Sequence, residues 1–162
     1  MIEANPFNDY LVENWRMRLF SDEIFPGFPF RPSRWTAMAF DRDSQGGIRI
    51  PEAVWTCLVN TLRNSTKERF AFVASSHPLR GGVVAERQQP FVVALDPSSV
   101  IAHFNDRTSY LPEFFMAGGS ETWAIWGDSD ITVIGGDPEI MSLVTWSIGS
   151  PEALVEFIAR DF

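Results

Sequence analysis

Cysteine and histidine are nearly absent: Cys57, His77 and His103 are the whole complement in 162 residues. A lone cysteine excludes an intramolecular disulfide, so stability must come from packing. With two imidazoles and neither an HExxH nor a paired CxxC spacing, no metal site is expected and no cofactor is assigned. Long apolar runs are missing too. The stretch from Phe91 to Leu95 is far shorter than the roughly 20 residues that span a bilayer, so no membrane span is expected. The residues after Met1 form neither a basic n-region nor an apolar h-region, which leads to the expectation of a cytoplasmic protein. There is no repeat period and no low-complexity tract.

What the chain has in quantity is apolar and aromatic surface, 45% and 14% of residues. That is enough to offset chain entropy around one core, and 162 residues fall within the usual size of one domain, so residues 1–162 are expected to form a single domain. The net charge of −8 is unevenly spread. Residues 1–50 carry 6 Arg against 7 acids, residues 51–90 carry 5 Lys and Arg against 3 Glu, and residues 91–162 carry 11 acids against Arg107 and Arg160. Nearly all the excess lies in the last part of the chain. Carboxylates repel phosphate backbones and speed encounter with cations, so nucleic acid is not an expected partner and a basic protein is. The plainer reading of the same charge is solubility.

Several elements can be placed by pattern. A helix is expected over Asn8–Phe20, with Tyr10, Leu11, Trp15 and Leu19 inward and Met17 as a further core candidate. The prolines between Phe25 and Pro32 exclude helix, Trp35–Phe40 reads as a strand, and Asp41–Gly47 as a polar turn. Pro51-Glu52 opens a helix whose apolar face is Val54, Trp55, Leu58, Val59 and Leu62, ending near Asn64-Ser65. Phe70–Ala74 and Phe91–Leu95 have strand composition, with a long loop from Ser75 to Gln89 between them. Val100–Phe104 fits either a short strand or a helix start. Ser109–Met116 is compatible with a helix ending at Gly118-Gly119. Trp123–Trp126 and Ile131–Ile134, separated by Gly127-Asp128-Ser129-Asp130, form a hairpin pattern. Asp137 is an N-cap, Pro138 the first helical residue and Glu139 the acid after it, opening a helix through Ile140, Met141, Leu143 and Val144. Ser150-Pro151-Glu152 repeats that signal for a last helix burying Leu154, Val155, Ile158 and Phe162. Clustered strands with one clear hairpin imply an α+β fold, a mainly antiparallel sheet with helices against one face.

Catalytic motifs do not emerge from the same pass. The Gly-Gly pairs at 46, 81, 118 and 135 fit no phosphate-loop spacing, and no GxSxG elbow accompanies Ser76, His77 and Asp96. Cys57 sits in the best amphipathic helix as a packed thiol, and His103 between Ala102 and Phe104 reads as a packed or surface side chain. Asp128-Ser129-Asp130 reads as turn chemistry, since a calcium loop needs more oxygen ligands. The aromatic and arginine-rich 25–35 stretch has two readings, a rigid loop completing the core or an exposed patch that anchors an interface. Trp123 and Trp126, three apart on a strand, must face opposite ways.

The segment from Glu121 to Gly136, with its tryptophans and acidic turn, resembles the C-terminal hairpin of small bacterial immunity proteins encoded beside polymorphic or contact-dependent toxins. That resemblance implies a non-enzymatic protein that binds a basic toxin C-terminal domain, a nuclease being one class, with Asp128, Asp130, Asp137 and Glu139 as partner-binding carboxylates and Trp126 as an anchor. Two alternatives stay open: a small-ligand binder or enzyme using the Ser75–Gln89 loop with His77 and Arg80, and a subunit that dimerises through the aromatic, proline-rich segment.

Overall fold

A row of apolar side chains runs straight across the sheet: Val73 pairs with Met116, Met116 with Ile125, Ile125 with Ile134 and Ile134 with Met38. The computed structural model that shows it describes residues 15, 17–21, 27–41, 50, 52–76, 91–98, 113–128, 131–148 and 154–155. The strands are β1 (Thr36–Asp41), β2 (Phe70–Ser76), β3 (Phe91–Ala94), β4 (Glu113–Gly118), β5 (Trp123–Gly127), β6 (Ile131–Gly136) and β7 (Leu154–Val155); the helices are α1 (Glu52–Ser65) and α2 (Pro138–Ile148). Among the described residues the strands form one sheet in the order β3-β2-β4-β5-β6-β1-β7, and each pairing is antiparallel. The fold is α+β, as the clustering of strand and helix patterns implied.

Alternation along each strand divides the apolar side chains between two cores. On one face Met38, Phe40, Ala71, Val73, Phe114, Met116, Trp123, Ile125 and Ile134 share a cluster with the apolar faces of both helices: Val54, Trp55, Leu58, Val59 and Leu62 of α1, and Ile140, Met141 and Val144 of α2. On the other, Ala37, Ala39, Phe115, Ala117, Ala124, Trp126 and Val133 are covered by Trp15, Leu19, Phe20, Phe30 and Trp35 from the segment before β1. Covering both faces explains why β5 is buried at every position and why its sequence is a continuous apolar run.

The second core is built on a size match. Ala117 pairs with Ala124, Ala124 with Gly135 and Gly135 with Ala37, so four small residues form a shallow row on adjoining strands. The Phe30 ring lies on it so closely that a Cβ at Gly135 would be 2.4 Å from the ring. Phe20 meets Phe115 edge to face at 4.9 Å and Trp15 meets Phe20 at 5.6 Å. The segment is folded back on itself by a bridge between Phe20 and Phe30, with Ser21 N–H donating to the Pro29 carbonyl and Arg31 N–H to that of Leu19.

Two stretches expected as helix are strands where they are described. Glu113–Gly118 is β4, paired on both sides, and Leu154–Val155 pairs with Phe40 and Ala39 as β7. In both places a short apolar run was ambiguous by period, and sheet pairing decided it. Residues 17–19 are helical as expected, but Met17 is 67% exposed while Trp15 and Leu19 are buried. Leu143 also faces out. Asp41 and Ser75 belong to strands, whereas the rest of the 41–47 turn, Val100–Phe104, the start of the first helix and the last residues lie outside those described. Among the described residues no helix is long and apolar enough to cross a membrane.

Candidate functional site

The expected binding carboxylates fall at opposite ends of β6. Asp128 closes the β5–β6 turn, whereas Asp137 and Glu139 follow the far end of the strand at the start of α2. Six extended residues separate the two ends, about 20 Å of strand. They are therefore two sites.

At the turn end, Asp128 N–H donates to the Ile131 carbonyl and Asp128 Oδ1 accepts from Ile131 N–H, both at 2.9 Å. The carboxylate holds the turn, which is the use that the Asp-Ser-Asp sequence suggested. Register brings two further acidic positions to the same end: Asp41 pairs with Ile131 across β1 and β6, and Glu113 precedes Phe114, the partner of Gly127. Among the described residues, these strand ends carry no Lys or Arg. Asp130 lies outside the described residues.

The opposite end is mixed in charge and tightly wired. Asp137 Oδ1 accepts from the Trp35 indole N–H at 3.0 Å, its N–H donates to the Thr122 carbonyl, and its carbonyl accepts from Met141 N–H as α2 begins. The half-buried Asp137 is thus a joint between α2, β5 and the aromatic segment. Glu139 is exposed. Nearby, Glu68 Oε2 accepts from the Trp123 indole at 2.9 Å and Oε1 from Ser120 N–H at 2.8 Å. The Thr66 hydroxyl lies 2.7 Å from both Glu68 Oε2 and the Leu62 carbonyl and donates to one at a time. Gly118 leaves the room for this, because a Cβ there would be 2.0 Å from Glu68 Oε1. Lys67 and Glu121, each next to a member of this group, have φ of 59° and 55°, in the left-handed region that non-glycine residues seldom occupy. Glu121 pairs with Arg18, whose Nε is 3.0 Å from Oε1; the hydrogen bond raises the Arg18 pKa above its ordinary value, opposed by desolvation and aided least by the charge attraction.

No sequence signal marks Glu68: apart from Thr66, its partners Ser120 and Trp123 are 52 and 55 residues away, and only the turn after α1 is visible locally. Trp126 needs correction. Trp123 and Trp126 do face opposite ways, but the aromatic segment covers the second face and leaves Trp126 2% exposed, so it cannot anchor a partner from this position. The same packing assigns Phe28, Phe30 and Trp35 to the core rather than to an exposed patch.

Asp96 ends β3 in a tight turn. Its Oδ1 accepts from Ser98 N–H and from Ser98 Oγ, both at 2.9 Å, and these bonds hold the carboxyl below its usual range against desolvation, with Arg63 adding the smallest contribution. Cys57 is half-buried on α1. Among the described residues no group of three or more His, Cys, Asp and Glu could hold a metal ion. His77, Arg80, His103 and the loop after Ser76 lie outside the described residues. Comparison with protein-family models, with curated proteins and with solved structures finds no match.

Proposed function

We propose that the protein is a non-enzymatic binding protein, most simply an immunity protein that neutralises a basic toxin domain through the acidic end of its sheet around Asp128. The observation that carries this is the grouping of the Asp41, Glu113 and Asp128 positions at one end of neighbouring strands. The excess of acids in residues 91–162 supports it, because a one-sided field speeds encounter with a cationic cleft of the kind that holds phosphate. The sheet that carries these positions is packed on both faces, which lowers the ordering cost of binding through its end.

Asp137 drops from the binding set in favour of its joint with Trp35, and Glu139 stays as an exposed acid at the other end. The test is co-purification with the C-terminal domain of the protein encoded immediately upstream, combined with growth of cells expressing that domain alone. A complex and rescue from toxicity support the reading. A harmless domain that does not bind overturns it and moves attention to a ligand-binding or enzymatic role in the loop after Ser76.

A further inference from the structure

We propose that the corner of the sheet at Phe70 is a docking surface for an acidic segment of a partner protein that carries an apolar anchor. Ala71 and Val73 belong to the core shared with the helices, so alternation puts Phe70 and Phe72 on the other face of β2. Phe72 is half-buried, its ring meeting Trp15 edge to face at 6.5 Å, whereas Phe70 is 59% exposed. A ring on a paired strand is ordinarily flanked by side chains across the sheet. Here Phe70 pairs with Ala94, itself exposed, and Phe72 with the half-buried Val92. On the other side β4 ends at Gly118, the partner of Ala71, and Gly119 follows, where an added Cβ would touch only the Phe72 ring, at 4.0 Å. The Phe70 ring therefore stands above small residues, and Phe70, Phe72, Val92 and Ala94 make one apolar strip rather than a stray side chain.

The charges beside the strip select its occupant. Arg63 in the last turn of α1, and Lys67 and Arg69 just before Phe70, are all exposed, and among the described residues none of the three is in an ion pair. The nearby carboxylates are already engaged: Glu68 by the Trp123 indole, the Ser120 amide and the Thr66 hydroxyl, Glu121 by Arg18, and Asp96 by Ser98. Lys67 and Arg69 are left to an outside anion, on a chain whose net charge of −8 repels anions elsewhere. A carboxylate-rich segment with a phenylalanine or leucine side chain would set that side chain against Phe70 and its acids beside the two cations, an apolar centre with a charged rim. A symmetric second copy would instead bring two sets of cations together. The corner is distinct from the acidic end around Asp128, since β2 begins here and ends at Ser76, the partner of Glu113. Binding here goes beyond the immunity reading and does not rest on it.

Fluorescence anisotropy of the full chain with a short fluorescein-labelled peptide that alternates glutamate and phenylalanine tests it. The expected result is saturable binding that Phe70→Ser weakens at least about tenfold, and that Lys67→Gln combined with Arg69→Gln weakens about threefold to tenfold, the second loss shrinking in about 0.5 M salt. Asp128→Asn should leave this binding as it was. Phe70 lies outside both cores, so Phe70→Ser should keep the parent's denaturant midpoint, and the two glutamine substitutions keep the test decisive should that midpoint shift. No binding up to about 1 mM peptide, or equal binding by the parent and by Phe70→Ser, overturns the proposal. Equal affinity through Phe70 for the same peptide with lysine in place of glutamate removes the acidic partner. A concentration-dependent dimer that Phe70→Ser abolishes gives the surface to a second copy and likewise overturns it. No toxin enters these measurements, so failure here is separate from failure of the immunity reading.

Discussion

Glu68 shows how much one side chain organises. Its two oxygens accept from the Trp123 indole, the Ser120 amide and the Thr66 hydroxyl, joining the end of α1 to the β4–β5 turn. Trp123 is fully buried, so Glu68→Ala leaves its N–H without that acceptor and is expected to cost about 2–3 kcal/mol by denaturant unfolding. Glu68→Gln should cost about half as much, because its amide can accept from one donor but turns its own N–H toward the other. Equal losses for both would show that the charge matters more than the acceptor geometry. Asp96 gives a pH-dependent case. Its folded pKa is lowered by Ser98, so its stabilising contribution is full above the unfolded value of about 3.9 and is lost as pH falls through the folded value. Asp96→Asn keeps the turn acceptor without the charge. Its melting temperature should lie below the parent's at pH 7, with the gap closing as the pH falls through the folded value; a gap of constant size would tie the effect to the turn instead.

Elements were legible where one neighbour decides them. The i, i+4 spacing of Leu58 and Leu62 and the Asp137-Pro138-Glu139 start give α1 and α2 their faces and bounds, because a helix closes its own hydrogen bonds. β4 was not legible: Phe114 to Ala117 is an apolar run that becomes a strand only through β2 and β5, each distant in sequence or unsettled by the run itself. The seat of the aromatic segment before β1 was hidden for the same reason. Gly135 fits no motif in the sequence, yet it is the floor beneath Phe30. Gly135→Ala should therefore cost about 1–3 kcal/mol through the clash, and Phe30→Ala about 3–5 kcal/mol through the cavity. In the double variant the added methyl enters space vacated by the ring. The two losses should fall short of additivity by at least about 1 kcal/mol in equilibrium unfolding. Strict additivity would mean that Phe30 does not occupy that seat in solution.

At the scale of the whole molecule the sequence revealed an acidic half but not how folding divides it. β6 sends Asp128 one way and Glu139 the other, about 20 Å apart, while charges in 0.15 M salt are screened over about 8 Å. One compact interface thus cannot feel both equally, and the two residues decide which end binds. Asp128→Asn is the informative substitution, since its side-chain oxygen still accepts from Ile131 N–H and the turn survives the loss of charge. Asp137 is unsuitable, because changing it disturbs Trp35 and the start of α2 as well. With a cognate basic domain, Asp128→Asn should slow association about threefold at low ionic strength and much less in 0.5 M salt, with dissociation little changed, whereas Glu139→Gln should leave the rate as it was. Stopped-flow mixing across that salt range reads both. The reverse pattern would move the interface to the α2 end, where Lys67, Arg69 and the Arg18 pair interleave with the acids, and would remove the one-signed field as the reason for binding.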